Sequence, residues 1–280
     1  MKKYRLTEET KVCGAVLHRI QALQNFGNIV KDDLGGWIES ERNLAQTGDC
    51  WVYNDARVFG DAWVSGNATV SGYAKVFGNA GVYEDAEVFG DAEVSGHAGV
   101  YGYAKVFGNA KVCCDAKVCG DAKVFGNAQV YGNAKVSDNA MVSGDAKVFG
   151  DAWVSDDVEV FGNAKVYGYA KVFGNAKVYG NAKVYVDAKV YGDAKVSGNA
   201  KVSDNVMVFG DAKVFGDAWV YDDAEVFGNA QVYGDAMVFG NAKVYDDAKV
   251  YDDAKVYGKA KVSDNAMVSG DAKVFGAMLG

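Results

Sequence analysis

The chain has 280 residues, a net charge of −8 and no proline. The acidic balance argues against a binder of the nucleic-acid phosphate backbone, and no apolar run approaches the ~20 residues of a membrane-spanning helix. Half of the composition is hydrophobic, but mostly alanine and valine. That mixture cannot fill a broad globular core, which calls for larger side chains.

Residues 1–46 form the first predicted element, a small cap. The opening "MKKYRLTEET" is basic without an apolar stretch behind it, so no secretory signal is expected. "YRLTEETKVCGAVLHRIQAL" alternates around "CG", which predicts a hairpin with a longer apolar strand or a short helix. "DLGGWIESERNLAQTGDCWV" then leads into the next element. Trp37 and Ile38 read as an irregular first turn, two residues out of register with Val52.

From residue 47 to 276 the chain repeats. Valine recurs every sixth residue from Val52 to Val274, through 38 hexapeptides without insertion or deletion. Two positions before it stands a small residue, alanine in 35 units and Cys50, Val158 or Val206 in the others. The unit reads Ala–x–Val–aromatic/Ser–Gly–Asn/Asp. Alanine and valine, two apart, face one side of a strand. Gly–Asn or Gly–Asp is turn chemistry, because both tolerate positive φ. Each hexapeptide is therefore a short strand plus a corner, with no room for a return strand. Three such sides close a triangle, and each side stacks on its counterpart three hexapeptides on. The narrow interior explains the preference for Ala and Val. The result is an all-β parallel β-helix of 12–13 coils, a slim rod about 60 Å long at ~4.8 Å per coil. The last predicted piece, 277–280, is a short uncapped tail, with "GAMLG" falling out of register after Phe275.

The repeat resembles the hexapeptide-repeat superfamily, the left-handed parallel β-helix of trimeric LpxA-like proteins. The resemblance covers residues 48–276, and it alone supplies the left hand of the coil. "KYRLTEET", "LHRIQAL" and "DLGGWIESERNL" are similar to the start of the YdcK-like branch, whose members carry the label of candidate transferases. The superfamily implies a histidine general base in a cleft between trimer subunits, and an acyl-CoA donor.

Few residues of this sequence carry that chemistry. His97, in "SGHAGV", holds a corner normally given to Asn or Asp. It is a candidate general base, weighed against a tolerated substitution like Tyr73, Tyr103, Tyr169 and Lys259 at equivalent corners. His18 belongs to the cap, where packing is the plainer reading. Two histidines do not make a three-histidine zinc site. In "KVCCDAKVCG", Cys113 and Cys119 fall on different sides of the triangle, too far apart for a disulfide or a shared metal, and Cys114 takes a glycine corner. These three read as neutral replacements. Five cysteines in no framework spacing fit a reducing cytoplasm. No metal or cofactor is expected.

The outer surface is more regular. Of the 38 slots after valine, 26 hold Phe or Tyr, ten Ser and two Cys. One column reads Phe173, Tyr191, Phe209, Phe227, Tyr245. Another reads Tyr221, Phe239, Tyr257, Phe275. Such rings stack along the helix, and they are the candidate surface for a partner or for self-association. Lysine fills 20 of the slots before valine, interspersed with corner acids. The segment at 135–154 recurs at 201–220 and, shortened, from 261. The offsets are eleven and ten hexapeptides. Neither is a whole number of three-sided coils, so growth ignored the faces. These features together predict a non-catalytic scaffold that self-associates, as a trimer or end to end. The alternative is an acyl-CoA-dependent acyltransferase-like enzyme with His97 as its base.

Overall fold

The computed structural model describes residues 2–12, 15–276 and 278–280. The chain divides into two compact units, Met1–Asp138 and Asn139–Gly280.

The first unit opens with β1 (Tyr4–Val12) and β2 (Val16–Ala22), an antiparallel hairpin in register from Tyr4↔Ala22 to Val12↔Val16. The "CG" turn expected at Cys13–Gly14 lies outside the described residues. β3 (Leu34–Ile38) pairs antiparallel with β2, then parallel with Arg57–Val58, so that Ile38 lies beside Val58. Ile38 thus holds a core position of the first coil, with Val58 as its rung partner. The first turn carries two residues more than a regular coil, as the displaced Trp37–Ile38 register predicts. No helix forms in the hairpin. One short 3-10 turn, Glu41–Asn43, follows β3.

Gly35 and Gly36 make this entry possible. A Cβ on Gly35 would lie 2.6 Å from both the Ile20 side chain and the Val52 carbonyl, and one on Gly36 would lie 2.7 Å from the Ala56 carbonyl. Only glycine lets β3 approach the first coil that closely.

Beyond the cap, strands are mostly two residues long and pair in parallel with strands three hexapeptides away. Glu93–Val94, for example, lies between Lys75–Val76 and Lys111–Val112. The chain visits three sheets in rotation, which is the triangular winding the hexapeptide predicts. It fits the left-handed β-helix. The backbone ladder repeats a fixed pattern. Lys75 N–H donates to Ala92 O at 2.9 Å, Phe77 N–H to Val94 O at 3.0 Å and Asn79 N–H to Gly96 O at 2.7 Å. The hydrogen bonds of one coil therefore run to the next, corner included.

The second unit follows the same rule. Lys177–Val178 lies between Glu159–Val160 and Lys195–Val196, and Lys189–Val190 between Lys171–Val172 and Met207–Val208. Every inward Ala and Val from 56 to 262 is buried, including Val158 and Val206 in alanine slots. Met278–Leu279 pairs with Lys261–Val262. That step is one residue short of a full coil, the register slip expected after Phe275, and a parallel strand forms nonetheless. Met267, Phe275 and Met278 are exposed there.

The corner residue after the aromatic slot takes positive φ throughout. Glycine is the usual occupant because a Cβ would press on the next corner; at Gly168 it would lie 2.9 Å from the Val186 nitrogen. At some corners that carry an acid instead, the carboxylate has a use. Glu84 accepts the Gly102 N–H at 2.7 Å and Asp156 the Gly174 N–H at 2.9 Å. These carboxylates satisfy a corner donor on the following coil.

Candidate functional site

His97 is positioned by the corner between Glu93–Val94 and Gly99–Val100. Its backbone N–H donates to Cys114 O at 2.7 Å. Its ring stands in a row with the corner residues one coil away on either side. Asn79 Nδ2 lies 3.0 Å from Nε2, and Asp115 Oδ1 lies 3.8 Å from Nδ1. Each ring nitrogen thus faces a corner side chain of a neighbouring coil, Nε2 the Asn79 amide and Nδ1 the Asp115 carboxylate. The row orients the imidazole. The side chain is 67 % exposed. The other histidine, His18, is half-buried in β2.

Asparagines line the other corners in the same way. Asn163 donates to Asn181 at 3.1 Å, Asn181 to Asn199 at 3.0 Å, and Asn199 to Asp217 at 2.8 Å. An asparagine can accept from one neighbour and donate to the next, which is why the ladder propagates.

The two aromatic columns lie in the second unit. Tyr191, Phe209, Phe227 and Tyr245 stack at 4.9–5.0 Å with planes within 4° of parallel, while Phe173 stands 5.8 Å from Tyr191 and tilts by 27°. Tyr221, Phe239 and Tyr257 stack at 4.8 and 5.0 Å, and Phe275 tilts by 39° against Tyr257. Ring faces are thus spent on one another, and the columns offer edges to solvent. Burial, with Glu225 nearby, pushes the Tyr191 phenol up; burial, with Asp222, does the same for Tyr221. Both phenols stay neutral. The outermost ring, Phe275, is 68 % exposed.

Between columns run open grooves. One of about 520 Å³ is lined by Lys177, Lys195 and Lys213 with Asp193 and Asp211. Another, of about 400 Å³ in the first unit, holds Arg57, Lys75, Glu93 and Lys111. There Glu93 bridges Lys75 at 3.0 Å and Lys111 at 3.3 Å, and the Lys75 hydrogen bond holds its carboxyl below the usual range. Lysines and corner acids alternate along the first groove, whereas in the second Glu93 stands among cations.

Two contacts escape a reading by repeat position. The Lys3 ammonium is buried, donating to Cys50 O at 2.9 Å, Gly48 O at 3.2 Å and Cys50 Sγ at 3.2 Å. Cys113 and Cys114 bring their sulfurs to 3.7 Å. The adjacency "CC" was the available signal for the second; nothing local signals the first. Cys113 and Cys119 follow strands of different sheets, as the spacing predicts. Among the described residues, Cys50, Cys113, Cys114 and Cys119 are free thiols, and no group of three or more His, Cys, Asp or Glu could hold a metal ion. No described helix is long and apolar enough to cross a membrane.

The family model of the YdcK β-solenoid repeat matches residues 128–144 and 230–246. The uncharacterized acetyltransferase YdcK of Escherichia coli (strain K12) is 36 % identical over 63 residues, 19 % of each chain. The match therefore spans about a fifth of that relative's length. Among solved structures, the Arabidopsis UDP-N-acetylglucosamine acyltransferase superposes with a TM-score of 0.49 at 11 % identity, over 66 % of this chain and 70 % of the other. A candidate acetyltransferase from Desulfovibrio desulfuricans G20 does so with a TM-score of 0.37 at 10 % identity, over 80 % and 66 %. Two short stretches thus match the YdcK β-solenoid repeat, and 63 residues of the chain are similar to YdcK.

Proposed function

We propose that this chain is a non-catalytic β-helical scaffold that associates with further copies of itself, working without a cofactor in a reducing cytoplasm. One observation carries the reading. Within each unit, hexapeptides follow one another from residue 52 to 138 and from 139 to 274 without an inserted loop, and most coils repeat the slot pattern of the one before. A surface of that kind has no privileged point for a reaction, but it offers the same edges and charges along each face. The aromatic columns from Phe173 to Tyr245 and from Tyr221 to Phe275, flanked by Lys–Asp troughs, are the surfaces assigned to self-association. Free thiols at Cys50, Cys113, Cys114 and Cys119 accord with the compartment.

A second reading has its own support. The Asn79–His97–Asp115 row orients an imidazole, and the relative YdcK bears the name of an acetyltransferase. Under this reading a trimer interface would supply the missing cleft, His97 would take a proton from an acceptor, and acyl-CoA would be the donor.

Sedimentation and calorimetry separate the two. The scaffold reading expects oligomers that grow with concentration and no uptake of acetyl-CoA. A fixed trimer that binds acetyl-CoA, with binding or turnover lost in His97→Ala, would overturn it in favour of the second.

A further inference from the structure

The paired cysteines of the first unit have a geometry that the winding does not require. Cys113 occupies the slot after Val112, and its N–H donates to Val130 O at 3.0 Å. Cys114 takes the next position, where the backbone turns through φ 65°, and its carbonyl accepts the His97 N–H at 2.7 Å. The dipeptide is thereby fixed to the coils on both sides. Consecutive side chains of an extended strand point to opposite faces. Here the left-handed turn swings Cys114 back toward Cys113, and the sulfurs stand 3.7 Å apart. Cys114 is exposed and Cys113 half-buried, whereas Cys50 and Cys119 are buried.

The spacing discriminates between chemistries. A disulfide prefers Cα atoms about 4.4–6.8 Å apart, wider than the ~3.8 Å between consecutive residues, so these neighbours are poorly placed for one. A three-coordinate pyramidal centre with sulfur bonds of about 2.3 Å and angles near ~100° holds its two sulfurs roughly 3.5 Å apart. At 3.7 Å the two thiols need only a small approach to become the arms of such a chelate. Since the described residues assemble no group of three ligands, the fitting acceptor is soft, is satisfied by two thiolates, and brings its own third substituent.

We propose that Cys113 and Cys114 form a vicinal dithiol site for monosubstituted trivalent arsenicals. In the reaction of such an arsenical oxide, two As–S bonds form and the As–O bond breaks. The oxygen leaves as water with the two thiol protons, and no atom changes oxidation state. Burial and the neighbouring Cys114 thiol push Cys113 up to about 11. It reacts as the thiol, handing its proton to the departing oxygen. Because the Cys114 carbonyl holds the His97 N–H, closing the chelate shifts that hydrogen bond as well.

The test uses the full chain and phenylarsine oxide, read by native mass spectrometry and competition. Cys113→Ser and Cys114→Gly each restore a residue the repeat itself uses at that slot, so the winding tolerates both. One phenylarsenic group per chain is expected, with affinity at least tenfold lower in either variant and unchanged in Cys119→Ser. A dithiol should displace the probe where an equal concentration of monothiol does not, and the His97 amide resonance should move on binding. Full affinity in Cys113→Ser or Cys114→Gly, or loss in Cys119→Ser, would overturn the site.

Discussion

The cap and the repeat array of the first unit bury their residues by opposite means. In the array, core contacts are valine on valine and alanine on alanine at a fixed step of one coil, and each coil leans only on its two neighbours. In the cap, large and polar groups from distant parts of the chain meet once. Trp51 packs edge-on against Tyr4 and Phe26, at 6.1 and 5.4 Å. The Tyr4 hydroxyl donates to Leu44 O at 2.6 Å, and burial, with Glu41 and Cys50, raises its pKa. The Lys3 ammonium lies beneath these groups without a carboxylate partner among its contacts. A repeated small core spreads stability evenly; a one-off polar core concentrates it in a few side chains.

The sharpest break in that comparison is Asn43→Ala. Asn43 is fully buried; its amide donates to Gly60 O at 2.9 Å and Ala62 O at 2.7 Å, and its oxygen accepts the Ser40 N–H at 2.8 Å. Removing it strands three backbone groups, at a cost of about 3 kcal/mol. Hydrogen exchange should show protection lost across residues 34–64, with the second unit unchanged. The array counterpart is Val190→Ala, between Val172 and Val208. Two lost methyl groups and a small cavity cost about 2 kcal/mol. Exchange should rise most in the rungs at 172 and 208 and fade with distance along the winding. Uniform loosening of the whole unit after Val190→Ala would contradict nearest-neighbour coupling.

The same contrast explains what the sequence discloses. The winding was legible because Ala and Val repeat at every sixth position, and a two-residue displacement sufficed to place Ile38 beside Val58. Even the slipped step to Met278–Leu279 was visible as a broken beat. The cap was legible only as a hairpin. That Lys3 lies inside depends on the Gly48 and Cys50 carbonyls, far along the chain, and no local pattern encodes such a meeting. The His97 row was half legible: its corner follows from the count, and Asn79 and Asp115 stand one coil away on either side, but the orientation of the ring required coordinates. The cysteine pair was hidden by an alternation rule that fails at a left-handed corner.

A smaller effect probes the corner rule. Val186 adopts φ 60° where most coils place glycine, and a β-branched side chain is poorly suited to that region. It is 39 % exposed, so little burial is lost on its removal. Val186→Gly should stabilise the second unit by about 1 kcal/mol, read as a higher denaturant midpoint with an unchanged slope. An unchanged or lower midpoint would mean that the side chain has packing that offsets its strain.

The smallest expected effect tests whether charge, like packing, acts from rung to rung. Glu93 lies between Lys75 and Lys111, one coil away on each side. The Lys75 hydrogen bond lowers its pKa in the folded chain, against an opposing contribution from burial. A lowered folded pKa means stability that is present above the ordinary carboxylate range and lost as pH falls through the folded value. The pairs are partly exposed, so Glu93→Gln should cost only about 0.5–1 kcal/mol at neutral pH. The difference should vanish in acid and shrink in high salt. The Lys3 ammonium is held by carbonyls and a thiol instead of a carboxylate, so acid titration should leave its contacts intact. Parallel pH titrations of local exchange would then show loosening around rungs 75, 93 and 111 before the Lys3 contacts at Gly48 and Cys50. The reverse order would make the Lys3 contacts the acid-sensitive link and remove Glu93 as its source.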